Sequence, residues 1–311
     1  MRCVGLAGRN FFGESWMSLD FYPRKGADGQ PVKVDSGFGP SSHPAPSFIG
    51  TLKDEHEDRW LVNTPLLLHD HPKIRLLAKR LTSLKATPRD QALACFAHLR
   101  AMPFGCIADS TGTSAVGVLR AGKGDCHTKS TLMLALLRSL RIPSRMRFVT
   151  MKPDFLYGIA DLGGHPIEHA YIEVLLDDEW LALDSHVVDP RLAMAAKARL
   201  KIEGRKLGYG MHRDGSIQWD GRTSSFGQFT VSDPDSMPLH DWGAFDDPYQ
   251  FYSSVAYVRQ RLSLAGRVKW MIGARLVNRR VHALRDKPVE VPAQAGHGAT
   301  PDFEPTAAPE N

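Results

Sequence analysis

One cysteine of the chain stands at the start of an apolar stretch, where its thiol could act as a nucleophile. In the segment GKGDCHTKSTLMLALLRSLRIPSR, residues 122–145, Asp125 directly precedes Cys126. Aspartate is a favoured N-cap residue because its carboxylate accepts hydrogen bonds from the first helical turn, so we predict a helix that begins at Cys126. A thiol at that position faces unsatisfied N–H groups and the positive end of the helix dipole. Since both favour the thiolate, we expect the pKa of Cys126 to lie below the ordinary thiol value of about 8.5.

The residues that follow have the period of a mostly buried helix. Apolar side chains recur three or four positions apart at Leu132, Met133, Ala135, Leu136, Leu137 and Leu140. Pro143 cannot donate a backbone hydrogen bond, and we expect it to end the helix.

A thiolate nucleophile needs a general base and a group that orients this base. Residues 168–186, EHAYIEVLLDDEWLALDSH, contain two runs in which apolar and polar residues alternate. A pair of aspartates, which favours a turn, separates them, and this pattern predicts an antiparallel hairpin. If the loop has two residues, His169 and Asp184 point to the same face of the hairpin, either directly opposite or one diagonal apart. These two residues are therefore our candidate base and orienting carboxylate.

The other histidines of this region have no carboxylate at a spacing that we can argue. His127 adjoins the cysteine but leaves the helix start in another direction, His165 precedes a proline, and His186 lies just beyond the second strand. His69 and His71, in LHDHP, are two positions apart without further ligands, so they do not indicate a metal site.

Three motifs resemble the bacterial transglutaminase-like superfamily: the cysteine segment at 122–145, HAYIEV at 169–174 and WLALD at 180–184. The resemblance covers residues 65–190 and includes HPKIRLLAKRLT at 71–82, which is similar to the helix before the core in those proteins. It implies an α+β fold with a papain-like core. In that core, the catalytic cysteine lies at a helix N-terminus, and the histidine and aspartate lie on an antiparallel sheet.

The resemblance also implies a role for each candidate residue. Cys126 is the nucleophile, His169 the general base and acid, and Asp184 the residue that holds the imidazole in its productive tautomer. The sequence offers the Cys126 N–H as an oxyanion donor and leaves the second donor unassigned. Tyr171 stands where the superfamily usually has tryptophan, which keeps a flat apolar wall.

The reaction implied is the transfer of an acyl group from a carboxamide or peptide bond through a thioester. Water as acceptor makes the protein a hydrolase, and an amine makes it a transglutaminase; the sequence leaves both open. The expected substrate is a peptide, a protein or a small amide, and the chemistry needs no cofactor and no metal.

Composition shifts divide the chain into four zones. Residues 1–60 are rich in Gly, Pro and Ser and predict an N-terminal strand and loop region; residues 61–200 predict the catalytic core. Residues 201–285 form a C-terminal extension that ends in basic helices. Residues 286–311 have little to bury, and we expect a disordered tail.

Length and composition indicate a globular protein. The chain has 311 residues, of which 42% are hydrophobic and 23% charged, with a formal net charge of +5. It contains no apolar run of membrane-spanning length and no signal-peptide pattern, so we expect a cytoplasmic protein. Cys3, Cys95 and Cys106 read as small apolar residues, because no CxxC pair or regular spacing indicates a zinc site or a disulfide framework.

A catalytically silent module of the same fold is the alternative. Residues 257–285 carry eight Lys or Arg residues interleaved with apolar ones, a pattern that could suit a membrane surface or an anionic partner. A solvated face on a packed helix explains the same pattern. We expect no nucleic-acid binding, because no stacking array or recognised motif accompanies the charge.

Overall fold

The computed structural model describes residues 58–161, 163–254 and 264–286. The predicted N-terminal strand and loop region, apart from its last residues, and the predicted disordered tail lie outside these residues.

The first half of the described chain is helical. Its helices are α1 (Pro72–Thr82), α2 (Pro88–Ala101), α3 (Ala115–Ala121) and α4 (Cys126–Ser139). Thr87 caps α2 through a hydrogen bond from the Asp90 N–H, and Ser114 caps α3 through one from the Gly117 N–H. The helix that the resemblance implies over 71–82 is therefore confirmed within a residue.

Helix α4 begins at Cys126, as predicted. The Asp125 carboxylate accepts from the Thr128 N–H, and the Thr128 hydroxyl accepts from the Asp125 N–H at 2.9 Å, so a reciprocal capping box fixes the helix start. The helix ends at Ser139, earlier than the expected stop at Pro143. Arg141 adopts a left-handed conformation with φ 59°, so the chain has already left the helix before the proline.

The sheet has four antiparallel strands in the order β3-β2-β1-β6. Its strands are β1 (Ser144–Met151), β2 (Ile167–Leu176), β3 (Glu179–Leu183) and β6 (His240–Phe245), while β4 (Leu207–Gly208) and β5 (Met211–His212) form a separate pair. Helices on one side of an antiparallel sheet define an α+β fold, which confirms the fold class that the resemblance implies.

The hairpin between β2 and β3 has the predicted two-residue loop. Asp177 and Asp178 have φ values of 52° and 64°, the left-handed conformations that a tight type I′ turn requires. In the resulting register Ile172 pairs with Leu183, so His169 and Asp184 lie on the same face, one diagonal apart. This is one of the two arrangements that the sequence allowed.

Three further helices complete the described chain: α5 (Pro190–Ile202), α6 (Pro248–Ser253) and α7 (Leu264–Asp286). The larger hydrophobic core lies between α1–α4 and one face of the sheet. A second hydrophobic cluster joins α5 and α7 to Phe104, Ile159 and Val187, and Cys126 packs against it. No helix in the described ranges is both long and apolar enough to cross a membrane.

Candidate active site

Cys126 is the first residue of α4, and its half-buried thiol faces the backbone of β2. The N–H groups of Ala170, of His127 and of Cys126 itself lie near enough to the sulfur to lower the pKa of the thiol. Ala170 directly follows His169 on β2. The capping box thus places the thiol beside the strand that carries the predicted base.

The predicted low pKa of Cys126 is wrong. Burial raises the pKa of the thiol to about 12, and the charge of Asp125 acts in the same direction, while the three N–H groups lower it by less. The sequence argument counted the helix dipole but neither the burial of the sulfur nor the carboxylate that caps the helix. The resting thiol therefore keeps its proton at neutral pH, and a base must remove it.

His169 and Asp184 form a buried pair. Their closest atoms, His169 Nε2 and Asp184 Oδ2, lie 3.3 Å apart, and both side chains are 0% exposed. An ionised carboxylate can only accept a hydrogen bond, so Nε2 carries the proton in the neutral imidazole. The lone pair is then on Nδ1, which is buried and has no hydrogen-bond partner among the described residues.

The structure joins two of the three candidates, His169 and Asp184, directly, and the third lies beside the strand that carries His169. In the described part of the chain no hydrogen bond links Cys126 Sγ to the His169 ring, whose Nδ1 has no partner there. Catalytic hydrogen bonds are often long in empty sites and tighten when substrate is bound.

Asp184 is held from its other side by a loop that the sequence did not indicate. The Gly227 N–H donates a short hydrogen bond to Asp184 Oδ1, and the Asp184 N–H donates to the Ser225 carbonyl at 3.1 Å. A Cβ atom on Gly227 would lie 2.8 Å from the Ser216 carbonyl oxygen. Gly227 is the only residue type in this loop that could have indicated the close contact with Asp184. Without the fold, this glycine cannot be distinguished from the other glycines of the sequence.

Aromatic side chains enclose the imidazole of His169. Its ring centroid lies 6.3 Å from those of Phe155 and Tyr171 and 6.4 Å from that of Phe229. Tyr171, predicted as a flat wall, is buried and contacts Phe226 and Phe229. These rings limit the orientations that the imidazole can adopt.

The competing histidines have other partners. His127 Nδ1 lies 2.8 Å from the Tyr252 hydroxyl, and the two rings stack. His186 Nε2 lies 3.3 Å from the Ser130 hydroxyl, and burial lowers the pKa of His186 well below its ordinary value. It is His169, and not His186, that bonds to Asp184.

A second buried histidine–aspartate pair is closed to proton transfer. His212 Nε2 lies 3.0 Å from Asp233 Oδ2, but His212 Nδ1 already accepts from the Asp214 N–H at 3.0 Å. Both ring nitrogens are therefore occupied, in contrast to His169. No group of three or more His, Cys, Asp or Glu side chains in the described ranges could hold a metal ion.

A thiol at a helix start beside a sheet-borne histidine–aspartate pair defines the papain-like class of α+β proteins. Residues 75–185, which include all three candidates, match the family model of the Transglutaminase-like superfamily. The match confirms, for this segment, the resemblance that its motifs carry.

Two solved structures show similarity to part of the chain. One is a candidate cysteine protease from Cytophaga hutchinsonii, with 21% identity and a TM-score of 0.36, covering 44% of each chain. The other is a candidate protease from Parabacteroides distasonis, with 16% identity and a TM-score of 0.28, covering 41% of this chain and 25% of that one. The matches thus span less than half the length of either structure. Among curated proteins, no sequence matches the chain.

Proposed function

We propose that this protein is a cysteine-dependent enzyme that cleaves or transfers an acyl group at an amide bond. The observation that carries the proposal is the state of the His169 ring. Asp184 engages Nε2, while Nδ1 is buried and unpaired within the described residues, and the next residue, Ala170, has its N–H near the Cys126 sulfur. Such an imidazole has a lone pair to accept a proton and a carboxylate to stabilise the charge that results.

The first half-reaction forms a thioester. Cys126 Sγ attacks the carbonyl carbon of a carboxamide or peptide bond while its proton passes to His169 Nδ1. The Cys126 N–H, at the start of α4, is the oxyanion donor that we assign. The tetrahedral intermediate expels the amine, which takes the proton from His169.

The second half-reaction returns the enzyme to its starting state. Water or a second amine attacks the thioester carbon, His169 removes a proton from it, and the thiolate leaves and recovers that proton. Because the resting thiol is protonated, both halves depend on His169 and on its orientation by Asp184.

A thiol-reactive peptide probe tests the proposal on the full chain. We expect the probe to label the Cys126 tryptic peptide selectively, to leave Cys126→Ala unlabelled, and to react more slowly with His169→Asn. His165→Asn is the matched control, since it removes a histidine of the neighbouring loop, and it should label at the wild-type rate. Equal, slow labelling of several cysteines in the wild type would instead favour the catalytically silent module.

The choice of acceptor needs a separate measurement. A glutamine-containing peptide library incubated with and without a fluorescent primary amine gives either released acid and ammonia or an amine-labelled peptide. Both products must disappear in Cys126→Ala. A product that persists in this variant comes from a contaminant and counts against the proposal.

A further inference from the structure

A second cysteine, Cys106, lies on a segment that pairs with the residues just before Cys126. Phe104 and Gly124 form a parallel bridge, in which the Gly105 N–H donates to the Gly124 carbonyl at 3.0 Å and the Gly124 N–H donates to the Pro103 carbonyl at 3.3 Å. Cys106 and Cys126 each stand two residues further along these segments.

The bridge sets the distance between the two cysteines. Residues two apart on an extended segment share a face, and hydrogen-bonded segments lie about 4.8 Å apart. Asp125, between Gly124 and Cys126, is still extended, with φ −98° and ψ −170°, so the chain stays extended from the bridge to the helix start. A disulfide needs Cα atoms between about 4.4 and 6.8 Å apart, so two cysteines that keep the spacing of the bridge can be joined.

Both thiols face the same surroundings. The half-buried side chains of Cys106 and Cys126 pack against the second hydrophobic cluster, and both are free thiols in the described chain. A charge on Cys126 raises the pKa of Cys106, which shows that the sulfurs are near enough to interact.

Helix α7 holds the backbone of Cys106 in place. The Asn278 side chain accepts from the Cys106 N–H at 2.7 Å and donates to the Cys106 carbonyl at 3.0 Å. This two-point contact keeps Cys106 beside the start of α4. The Cys106 thiol has no role in the proposed reaction.

We propose that Cys106 is a resolving thiol that protects Cys126 against irreversible oxidation by peroxide. His169 removes the proton of Cys126 as it does in the proposed reaction, and the thiolate attacks hydrogen peroxide, so that a sulfenic acid forms and the expelled hydroxide takes the proton back from His169 as water. The Cys106 sulfur then attacks the sulfenic sulfur, the S–O bond breaks, and the oxygen leaves as a second water molecule with the Cys106 proton. The two thiols have supplied two electrons, and a disulfide joins them.

The disulfide has a functional consequence. It blocks the sulfur of Cys126, but a dithiol can reduce it, whereas further oxidation to the sulfinic acid is not reversed by thiols. The proposal goes beyond the proposed function, because disulfide formation does not require that Cys126 turns over a substrate.

Peptide mapping of the full chain tests it. The reduced protein is treated with limiting hydrogen peroxide, its free thiols are alkylated, and it is digested with trypsin. Cleavage after Lys and Arg places Cys106 in peptide 101–120 and Cys126 in peptide 124–129, apart from Cys3 and Cys95. We expect these two peptides to be linked, with a mass lower by two hydrogen atoms, and to separate again after treatment with dithiothreitol.

The Cys106→Ser variant removes the resolving thiol. After the same treatment we expect peptide 124–129 to carry two added oxygen atoms, and dithiothreitol should not restore its alkylation. Cys3→Ser removes a thiol elsewhere and should behave as the wild type. Melting curves and a second variant, Cys106→Ala, show whether the effect arises from misfolding.

Two results would overturn the proposal. One is a wild-type protein whose Cys126 becomes sulfinic as fast as in Cys106→Ser, with no linked peptide. The other is a disulfide from Cys126 to Cys3 or Cys95. If both Cys106 variants fail to fold, the wild-type peptide map decides by itself.

Discussion

Asp184 uses its two carboxylate oxygens for two purposes. Oδ2 bonds to His169 Nε2, and Oδ1 accepts from the Gly227 N–H, so the carboxylate is fixed before it orients the imidazole. The ring must keep its proton on Nε2 to leave the lone pair on Nδ1. The role of Asp184 is therefore to position His169. Its substitution should lower the rate by less than the loss of the nucleophile does.

We expect Asp184→Asn to lower the rate of acyl transfer by roughly 10²-fold to 10³-fold, about 3–4 kcal/mol of transition-state stabilisation. The amide can no longer stabilise an imidazolium, and it no longer selects one tautomer. Cys126→Ala should abolish turnover. Steady-state kinetics on the amide substrate that the probe work identifies measures both.

Asp161→Asn is the matched control for this substitution. Its exposed carboxylate accepts from the nearby Gly163 N–H, a bond that an amide oxygen can also accept, so the rate of this variant should be unchanged. Circular dichroism and melting must show that each variant is folded. A wild-type rate in Asp184→Asn would mean that Asp184 is only a strand-end residue.

The buried thiol predicts an unusual pH profile for alkylation. Since burial raises the pKa of Cys126 to about 12, its reaction with iodoacetamide should still accelerate as the pH rises above 9. The label on peptide 124–129 measures the rate at each pH. The unfolded protein in guanidinium is the control, with an ordinary midpoint near about 8.5. A plateau below pH 8 in the folded protein would show a thiolate stabilised by His169.

At the scale of single residues, the sequence predicted which residues are the candidates for catalysis, but it did not predict what surrounds each side chain. The types and order of Cys126, His169 and Asp184 followed from a cap, a hairpin and a resemblance. Burial of the sulfur and the bond from Gly227 depend on segments far apart in the chain, and local patterns cannot report them. The assignment of catalytic roles to these residues stays a prediction until the kinetics are measured.

Helix α7 attaches to the core through one face. Val277 and Val281 are buried in the second cluster, and Asn278 bonds to the backbone of Cys106. On its other side Arg275 and Arg279 are exposed. The sequence left open whether this basic pattern is a solvated face or a binding surface, and it could not show that an arginine of the same helix is buried.

That arginine is Arg285, which forms a buried ion pair with Asp189. The two side chains are 7% and 6% exposed; Arg285 Nη2 lies 2.6 Å from Asp189 Oδ2 and donates to the Phe104 carbonyl at 2.9 Å. Burial opposes ionisation of Asp189, but hydrogen bonds from Arg285, Phe104 and Leu192 outweigh it and hold the pKa of Asp189 below its ordinary value. Asp189 is also the N-cap of α5, so the pair joins three segments.

Arg285→Ala should lower the free energy of unfolding by about 3–5 kcal/mol, because it leaves the Asp189 carboxylate buried without its partner. Urea unfolding followed by fluorescence measures the change. Arg279→Ala, on the exposed side of the same helix, should lie within about 0.5 kcal/mol of the wild type. If the two variants are equally stable, the ion pair contributes nothing beyond what a surface arginine does.

Across the whole molecule, the site and its support come from distant parts of the chain. Strand β6 completes the sheet, Gly227 holds Asp184, and α7 packs beside Cys126, although all three lie outside the segment that matches the family model. The boundary that we placed at residue 200 rests on composition alone and stays a prediction. The expected substrate, the cytoplasmic location and any contact with a membrane surface also stay predictions. Long-range packing of this kind leaves no periodic trace in a sequence.

Lys129 lies where these parts meet. It is fully buried on α4, and its Nζ donates to the Met102 carbonyl at 2.9 Å and to the Val187 carbonyl at 2.8 Å, on the chain segments before α3 and before α5. Burial lowers the pKa of Lys129 to about 7; the charge of Asp189 raises it, and that of Arg285 lowers it. A lysine in this state makes the stability of the whole fold depend on pH.

The sign of that dependence follows from proton counts. Between pH 7 and 10.5 the unfolded chain keeps the Lys129 proton and the folded protein releases it, so the free energy of unfolding rises with pH. The buried thiols of Cys95, Cys106 and Cys126 have raised pKa values and act in the opposite direction above the ordinary thiol pKa of about 8.5. The buried histidines His127 and His186 have lowered pKa values and contribute below pH 7. The window in which Lys129 dominates is therefore pH 7 to 8.5.

In that window Lys129 should add a slope of at most about 1.4 kcal/mol per pH unit, and Lys129→Met should remove it. Methionine leaves the carbonyls of Met102 and Val187 without their donor, which lowers stability by the same amount at every pH and so does not change the slope. Urea unfolding at pH 7.0, 7.5, 8.0 and 8.5 measures this slope, because these values lie roughly between the titration of Lys129 in the folded protein and that of an ordinary thiol. Lys79→Met, which removes an exposed lysine from α1, is the control and should keep the wild-type slope. If Lys129→Met keeps that slope as well, Lys129 remains charged in the folded protein, and its two carbonyl contacts hold an ammonium group throughout the range.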